Sequence, residues 1–157
     1  MVNANLQKQY GLFIDGEFVP ASDGGTFEAH NPANGEVLAT CAEATKEDVD
    51  KAVAAARRAL ASWRHTSPIE RQNYLLKIAD IIDENAEHLA LVETLDNGKP
   101  IRETSAVDIP MGSDHFRYFA GCIRAQEGTA TMLDDNTMSL VIHEPIGVVG
   151  LLIPFPL

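Results

Sequence analysis

The sequence has no strongly basic stretch; its longest Lys/Arg run is the pair Arg57-Arg58. With 23 acidic against 12 basic residues, the net charge is −11. Nucleic acids and anionic membrane surfaces need a basic footprint, so both are excluded as partners. Cysteine is scarce, limited to Cys41 and Cys122, which leaves neither a disulfide framework nor metal-ligand spacing. No basic segment followed by an apolar core opens the chain, so no secretory signal is read there. The most apolar run, Val148 to Ile153 between Pro145 and Pro154, falls far short of the roughly 20 residues a membrane helix needs. A reduced, cytoplasmic, soluble protein is the expectation.

What is present is ordinary globular composition, 45% hydrophobic and 22% charged over 157 residues, enough for one domain with a core. The first forty or so residues carry β signals. Asp15-Gly16 separates two short β-prone runs in "LFIDGEFVP", a two-residue hairpin turn. Asn31-Pro32 and Asn34-Gly35 supply turn chemistry between Phe27 and a strand over Val37–Thr40.

Helices follow. Thr45 is read as an N-cap with acidic residues in the first turn behind it. Val49, Ala52, Val53, Ala56, Leu60 and Trp63 then recur along one helix face. In "SPIE", Ser67 as N-cap, Pro68 at N1 and Glu70 at N3 form a capping box. The stripe Leu75, Ile78, Ala79, Ile82 continues it. A break is expected near Asn85, which caps a second segment ending at Asn97-Gly98. A third helical region spans about Ser105 to Ala125, with Pro110 marking a kink or a late start. Thr137–His143 reads as a strand. The apolar run Val148–Ile153 reads as a strand buried on both faces, as in parallel sheets.

No catalytic constellation emerges from these residues. Cys122 lies at helical spacing with Phe119 and Ile123, and Cys41 closes a β-rich stretch; both read as structural thiols. His30, His65, His88, His115 and His143 are scattered singly, with no i,i+4 ligand pair. The pairs Glu47-Asp48, Asp83-Glu84 and Asp134-Asp135 read as solvated faces or caps, because adjacent helix residues do not face each other. Gly147 and Gly150 do not make a phosphate-binding loop. No catalytic and no metal residue is assigned.

The stretches "LFIDGEFV", "NPANGEVLA", "DVDKAVAAARRAL", "LLKIADIIDENAEHLALVETLDNGKP", "DHFRYFAGCIRAQEG" and "HEPIGVVG" together resemble the N-terminal part of the NAD(P)-dependent aldehyde dehydrogenase superfamily. "DHFRYFAGCIRAQEG" further resembles its bacterial acetaldehyde dehydrogenase-like branch. The resemblance implies an α/β fold, an N-terminal fragment of the aldehyde dehydrogenase fold. In it, residues 1–136 are part of an NAD(P)-binding domain with hairpins and helices. Residues 137–144 are an oligomerisation-type strand, and residues 145–157 hold the first strand of a Rossmann-type sheet.

Family sequences continue past this strand as I-P-W-N-F-P-L, whereas this chain reads "IPFPL". The missing Asn is an oxyanion donor in the family, and such a donor is worth about 10²–10³ in rate. Ile153 and Pro154 are the cofactor-contact positions that carry over, for NAD or NADP. The catalytic Cys and general-base Glu of the family fall beyond Leu157. The resemblance thus implies a truncated relative of an oxidoreductase for small aldehydes, inactive alone because no thiolate is placed to form the thiohemiacetal. The alternative expectation is a non-catalytic interaction subunit, self-associating or pairing with a full-length homologue.

Overall fold

The structure, a computed structural model, describes residues 5–153. It is mixed α/β. Strand β1 (Gln9–Tyr10) is followed by β2 (Leu12–Ile14) and β3 (Glu17–Val19), an antiparallel hairpin in which Phe13 faces Phe18. Asp15 and Gly16 both take positive φ, 55° and 87°, the backbone of a type I′ turn that matches the twist of the two strands. Arg58 Nη2 donates to Asp15 Oδ2 at 2.7 Å and ties this turn to the first helix.

Strands β4 (Thr26–His30) and β5 (Val37–Ala42) pair antiparallel, and β1 joins β5 in parallel, giving the order β1-β5-β4. Their connection is built on Asn31, which is buried. Its Oδ1 accepts from Ala33 N–H at 2.9 Å and its carbonyl from Gly35 N–H at 2.7 Å. That is the Asx-turn chemistry by which asparagine replaces missing ladder bonds. The strand expected over Val37–Thr40 runs two residues further, to Ala42.

Four helices follow: α1 (Lys46–Trp63), α2 (Pro68–Glu84), α3 (Ala86–Asn97) and the single turn α4 (Ile101–Glu103). Thr45 and Ser67 each complete a capping box, with Asp48 and Glu70 at N3. Asn85 does divide α2 from α3, but it does not cap α3 with its side chain. Its Nδ2 instead donates back to Ile81 O at 2.8 Å, closing the helix that precedes it. Gly98 ends α3 in the left-handed conformation, φ 78°, which glycine adopts without a Cβ penalty.

The third helical region starts as α4, widens into a π turn over Thr104–Asp108 and continues as α5 (Ile109–Ala125). Pro110 sits in the first turn of α5. It has no N–H and its ring crowds the carbonyl four residues back, so the wide turn lies where a regular α turn is disfavoured. Helices α2 and α5 pack closely through Ala79 and Ala120, both fully buried. Arg117 Nη2 fastens the same pair, 2.7 Å from Asp80 Oδ1 and 2.8 Å from Asp83 Oδ2.

Three further expectations are corrected. The strand read over Thr137–His143 is β7 (Thr137–Val141). It forms a hairpin with β6 (Thr129–Asp134), which the sequence reading did not identify. The run Val148–Ile153 is not a buried strand: no strand is formed there, and Leu152 is 94% exposed. A parallel strand satisfies its backbone only through neighbours on its edges, and none of the described strands lies beside this run. The stripe on α1 is likewise open to solvent at Val49, Val53 and Trp63, while Asp48 and Ala55 are the buried residues of that helix.

Candidate functional site

The segment leaving β7 carries the two cofactor positions named from the sequence. Glu144, Pro145 and Ile146 lead into Gly147, whose φ of 126° is open to glycine and disfavoured for other residues. Val148, Val149, Leu151 and Leu152 follow as an exposed apolar ribbon. Ile153 is 81% exposed, and Pro154 lies outside the described residues. A dinucleotide site needs a crevice at the carboxyl ends of paired parallel strands. Among the described residues no paired parallel strand flanks Ile153.

Reactive groups elsewhere are spread apart. Cys41 is half-buried on β5, opposite Phe27 of β4; Cys122 is exposed on α5. Among the described residues, no group of three His, Cys, Asp or Glu is placed to hold a metal ion. No helix among them is long and apolar enough to cross a membrane.

The most perturbed acid is Asp48, and its surroundings explain its role. It is buried and accepts from Ser22 N–H and Thr45 N–H, each at 3.0 Å. Thr45 Oγ1 and Ser22 Oγ add hydroxyl donors at 2.9 and 3.2 Å. Those bonds, led by the Ser22 backbone N–H, lower its pKa from 3.8 to about 2. A carboxylate engaged by four donors is a poor proton acceptor, so Asp48 is a clamp between the loop after β3 and the start of α1. The Thr-x-x-Asp pattern of a capping box was the signal for it in the sequence.

A second polar cluster sits at the π turn. Thr104 is the largest completely buried side chain among the described residues. Its hydroxyl lies 2.9 Å from Thr94 Oγ1, 3.0 Å from Ala90 O and 3.2 Å from Ile101 O. Beside it, Lys99 Nζ is 2.7 Å from Asp108 Oδ2. Sequence reasoning missed this cluster, because a lone threonine gives no periodic or motif signal.

The sequence profile described as "Aldehyde dehydrogenase family" matches residues 18–157, nearly the whole chain. The chain belongs to the aldehyde dehydrogenase family. It is 55% identical over 154 residues to an acetaldehyde dehydrogenase of Pseudomonas aeruginosa, covering 97% of this chain and 30% of that protein. It is 49% identical over 154 residues to aldehyde dehydrogenase B of Escherichia coli K12, with the same coverages. An aldehyde dehydrogenase from Bacillus cereus, solved as its NAD+ complex, superposes with a TM-score of 0.87 at 41% identity. That superposition covers 92% of this chain and 30% of the Bacillus chain. A second solved structure, an aldehyde dehydrogenase from Burkholderia cenocepacia, gives 0.81 at 42% identity, covering 85% and 27%. The mixed α/β fold is thus that of part of an aldehyde dehydrogenase. The chain spans about 30% of the length of the curated relatives it matches.

Proposed function

We propose that this chain is the N-terminal portion of an NAD(P)-dependent aldehyde dehydrogenase that oxidises small aldehydes to carboxylic acids in the cytoplasm, and that the 157-residue chain alone is inactive. The carrying observation is a match along 97% of the chain to relatives of which it spans only 30%. In this reading residues 1–136 belong to the NAD(P)-binding domain and residues 137–144 to an oligomerisation strand. In the longer protein residues 145–157 would supply the first Rossmann strand, completed by neighbours from the rest of that protein, with Ile153 and Pro154 against the cofactor. Inactivity follows from chemistry. Cys41 and Cys122 lie on separate elements, and among the described residues neither is accompanied by a general base at a dinucleotide crevice, so these residues position no thiohemiacetal for hydride transfer. The test is direct: the purified chain is mixed with acetaldehyde and NAD+ or NADP+, and reduced cofactor is followed by absorbance. No turnover is expected, and steady formation of NADH or NADPH above the no-enzyme blank sinks the proposal.

A second reading is favoured by one specific feature. The β6–β7 hairpin is exposed on both faces, and Ala130, Met132, Met138 and Leu140 share one of them. A two-stranded hairpin alone is marginal in water, so this one suits an interaction subunit that self-associates or pairs with a full-length homologue. Size-exclusion chromatography of the chain with and without a full-length relative separates the readings. Co-elution supports a subunit role, and a clean monomer in both runs removes it.

A further inference from the structure

We infer that the cleft between the α1–α2 turn and the segment leaving β7 is a binding site for a small oxyanion, a phosphate or carboxylate group. The cleft holds about 310 Å³ and is lined by Trp63, Arg64, Arg71, Gln126, His143 and Glu144. Its volume is at the low end of ligand pockets, enough for one small anion and its waters. The inference stands on the residues of this cleft and not on the enzymatic reading.

Three observations point to an anion. Arg71 Nε is inaccessible to solvent yet meets no acceptor among the described residues. Buried donors are rarely left unpaired, and a guanidinium N–H least of all. Neither Arg64 nor Arg71 has an ion-pair partner among the described residues, whereas Arg58, Lys99 and Arg117 each do. Two unneutralised guanidinium groups sharing one cleft stand out in a chain of net charge −11. Finally, the acid beside Arg71 in sequence is already engaged: Glu70 Oε2 accepts from Ser67 N–H at 2.9 Å and Ser67 Oγ at 2.8 Å. Glu144 is the one acid in the lining, so two positive charges face one negative. His143 and Gln126 add further polar groups to the lining. A guanidinium presents parallel N–H donors in a rigid plane that matches two oxygens of a carboxylate or phosphate, and Arg64 and Arg71, on either side of the α1–α2 turn, both line this cleft.

The site contains its own reporter, since Trp63 is the only tryptophan of the chain. The full chain is titrated with inorganic phosphate, and separately with acetate, at constant ionic strength set by sodium chloride, following Trp63 fluorescence. A saturable change with either anion is expected; phosphate alone assigns a phosphate ligand, and acetate alone a carboxylate. Arg71→Gln and Arg64→Gln are each expected to weaken the apparent Kd at least tenfold, while Lys77→Gln, exposed on α2 outside the cleft, leaves it unchanged. Phosphate should also raise the thermal midpoint of the wild-type chain and not that of either arginine variant. A response no larger than that to added chloride, or one equal in wild type and both arginine variants, overturns the inference.

Discussion

Replacing Thr104 by valine exposes how the π turn is held. Valine keeps the shape and removes only the hydroxyl, so packing around the completely buried side chain is retained. The hydroxyl is a single donor, bonded toward Ala90 O at 3.0 Å, and it lies 2.9 Å from Thr94 Oγ1. With valine present, the half-buried Thr94 hydroxyl and the Ala90 carbonyl both lose a partner. One net hydrogen bond plus a buried carbonyl left without its hydroxyl donor is expected to cost about 1–3 kcal/mol. Thr94→Val removes the other side of the same contact. If the two hydroxyls are one unit, the double variant costs clearly less than the two single losses together, with an interaction energy of about 0.5–3 kcal/mol. Urea unfolding followed by far-ultraviolet circular dichroism measures all four proteins, with the slope checked for constancy. Strict additivity, or a Thr104→Val variant as stable as wild type, refutes the reasoning that this buried contact anchors α3 to the π turn.

Other perturbations test the clamp, the helix contact and the apolar ribbon. Asp48 has a folded pKa of about 2 against an ordinary 3.8, so its contribution is present above pH 4 and is lost as the pH falls towards 2. Glu70, Asp83 and Asp134 are lowered too, by bonds from Ser67, Ser113 and Asn136 first. Asp48→Asn should therefore flatten, without abolishing, the loss of stability between pH 4 and pH 2 in acid-titrated urea unfolding. Ala120→Leu forces bulk into a completely buried position on α5 and should lower stability by about 1–3 kcal/mol. The same change at the exposed Ala61 should stay within about 0.5 kcal/mol. Leu152→Lys should reduce binding of a hydrophobic dye and self-association while leaving the helical circular dichroism signal unchanged, since Leu152 is open to solvent.

Local chemistry was legible in the sequence, and partnership was not. Thr45, Ser67, Asp15-Gly16, Asn34-Gly35 and Gly98 act through backbone atoms a few residues away, so their neighbours in sequence are sufficient to read them. Strand β6 was missed because Thr129, Thr131 and Asp134 resemble a loop. Only pairing across the Asp135-Asn136 turn, where Asn136 N–H donates to Asp134 Oδ1 at 2.8 Å, makes it a strand. The α1 stripe and the Val148–Ile153 run show the opposite error. Their patterns are those of buried elements, but burial requires a second surface, and periodicity says nothing about which surface that is. Ile153 was named from a family pattern, and a pattern becomes a crevice only where parallel neighbours flank it.

The amount of uncovered surface weighs the two functional readings against each other. The accessible surface is 12146 Å² for a chain of 17.0 kDa, whereas a compact monomer of that mass exposes about 7,700 Å². The excess, roughly 4,400 Å², is far more than the ~800 Å² that each partner contributes to a standard protein–protein interface. It also exceeds each partner's share of most obligate interfaces, about 1,000–2,500 Å². A single docking partner placed on the β6–β7 hairpin would leave most of it uncovered, including Val49 and Val53 on α1 and the ribbon from Val148 to Ile153. Surface dispersed over a hairpin, a helix face and a ribbon is what a domain core looks like when part of it is separated from the rest. That distribution favours the portion-of-an-enzyme reading over the docking-subunit reading.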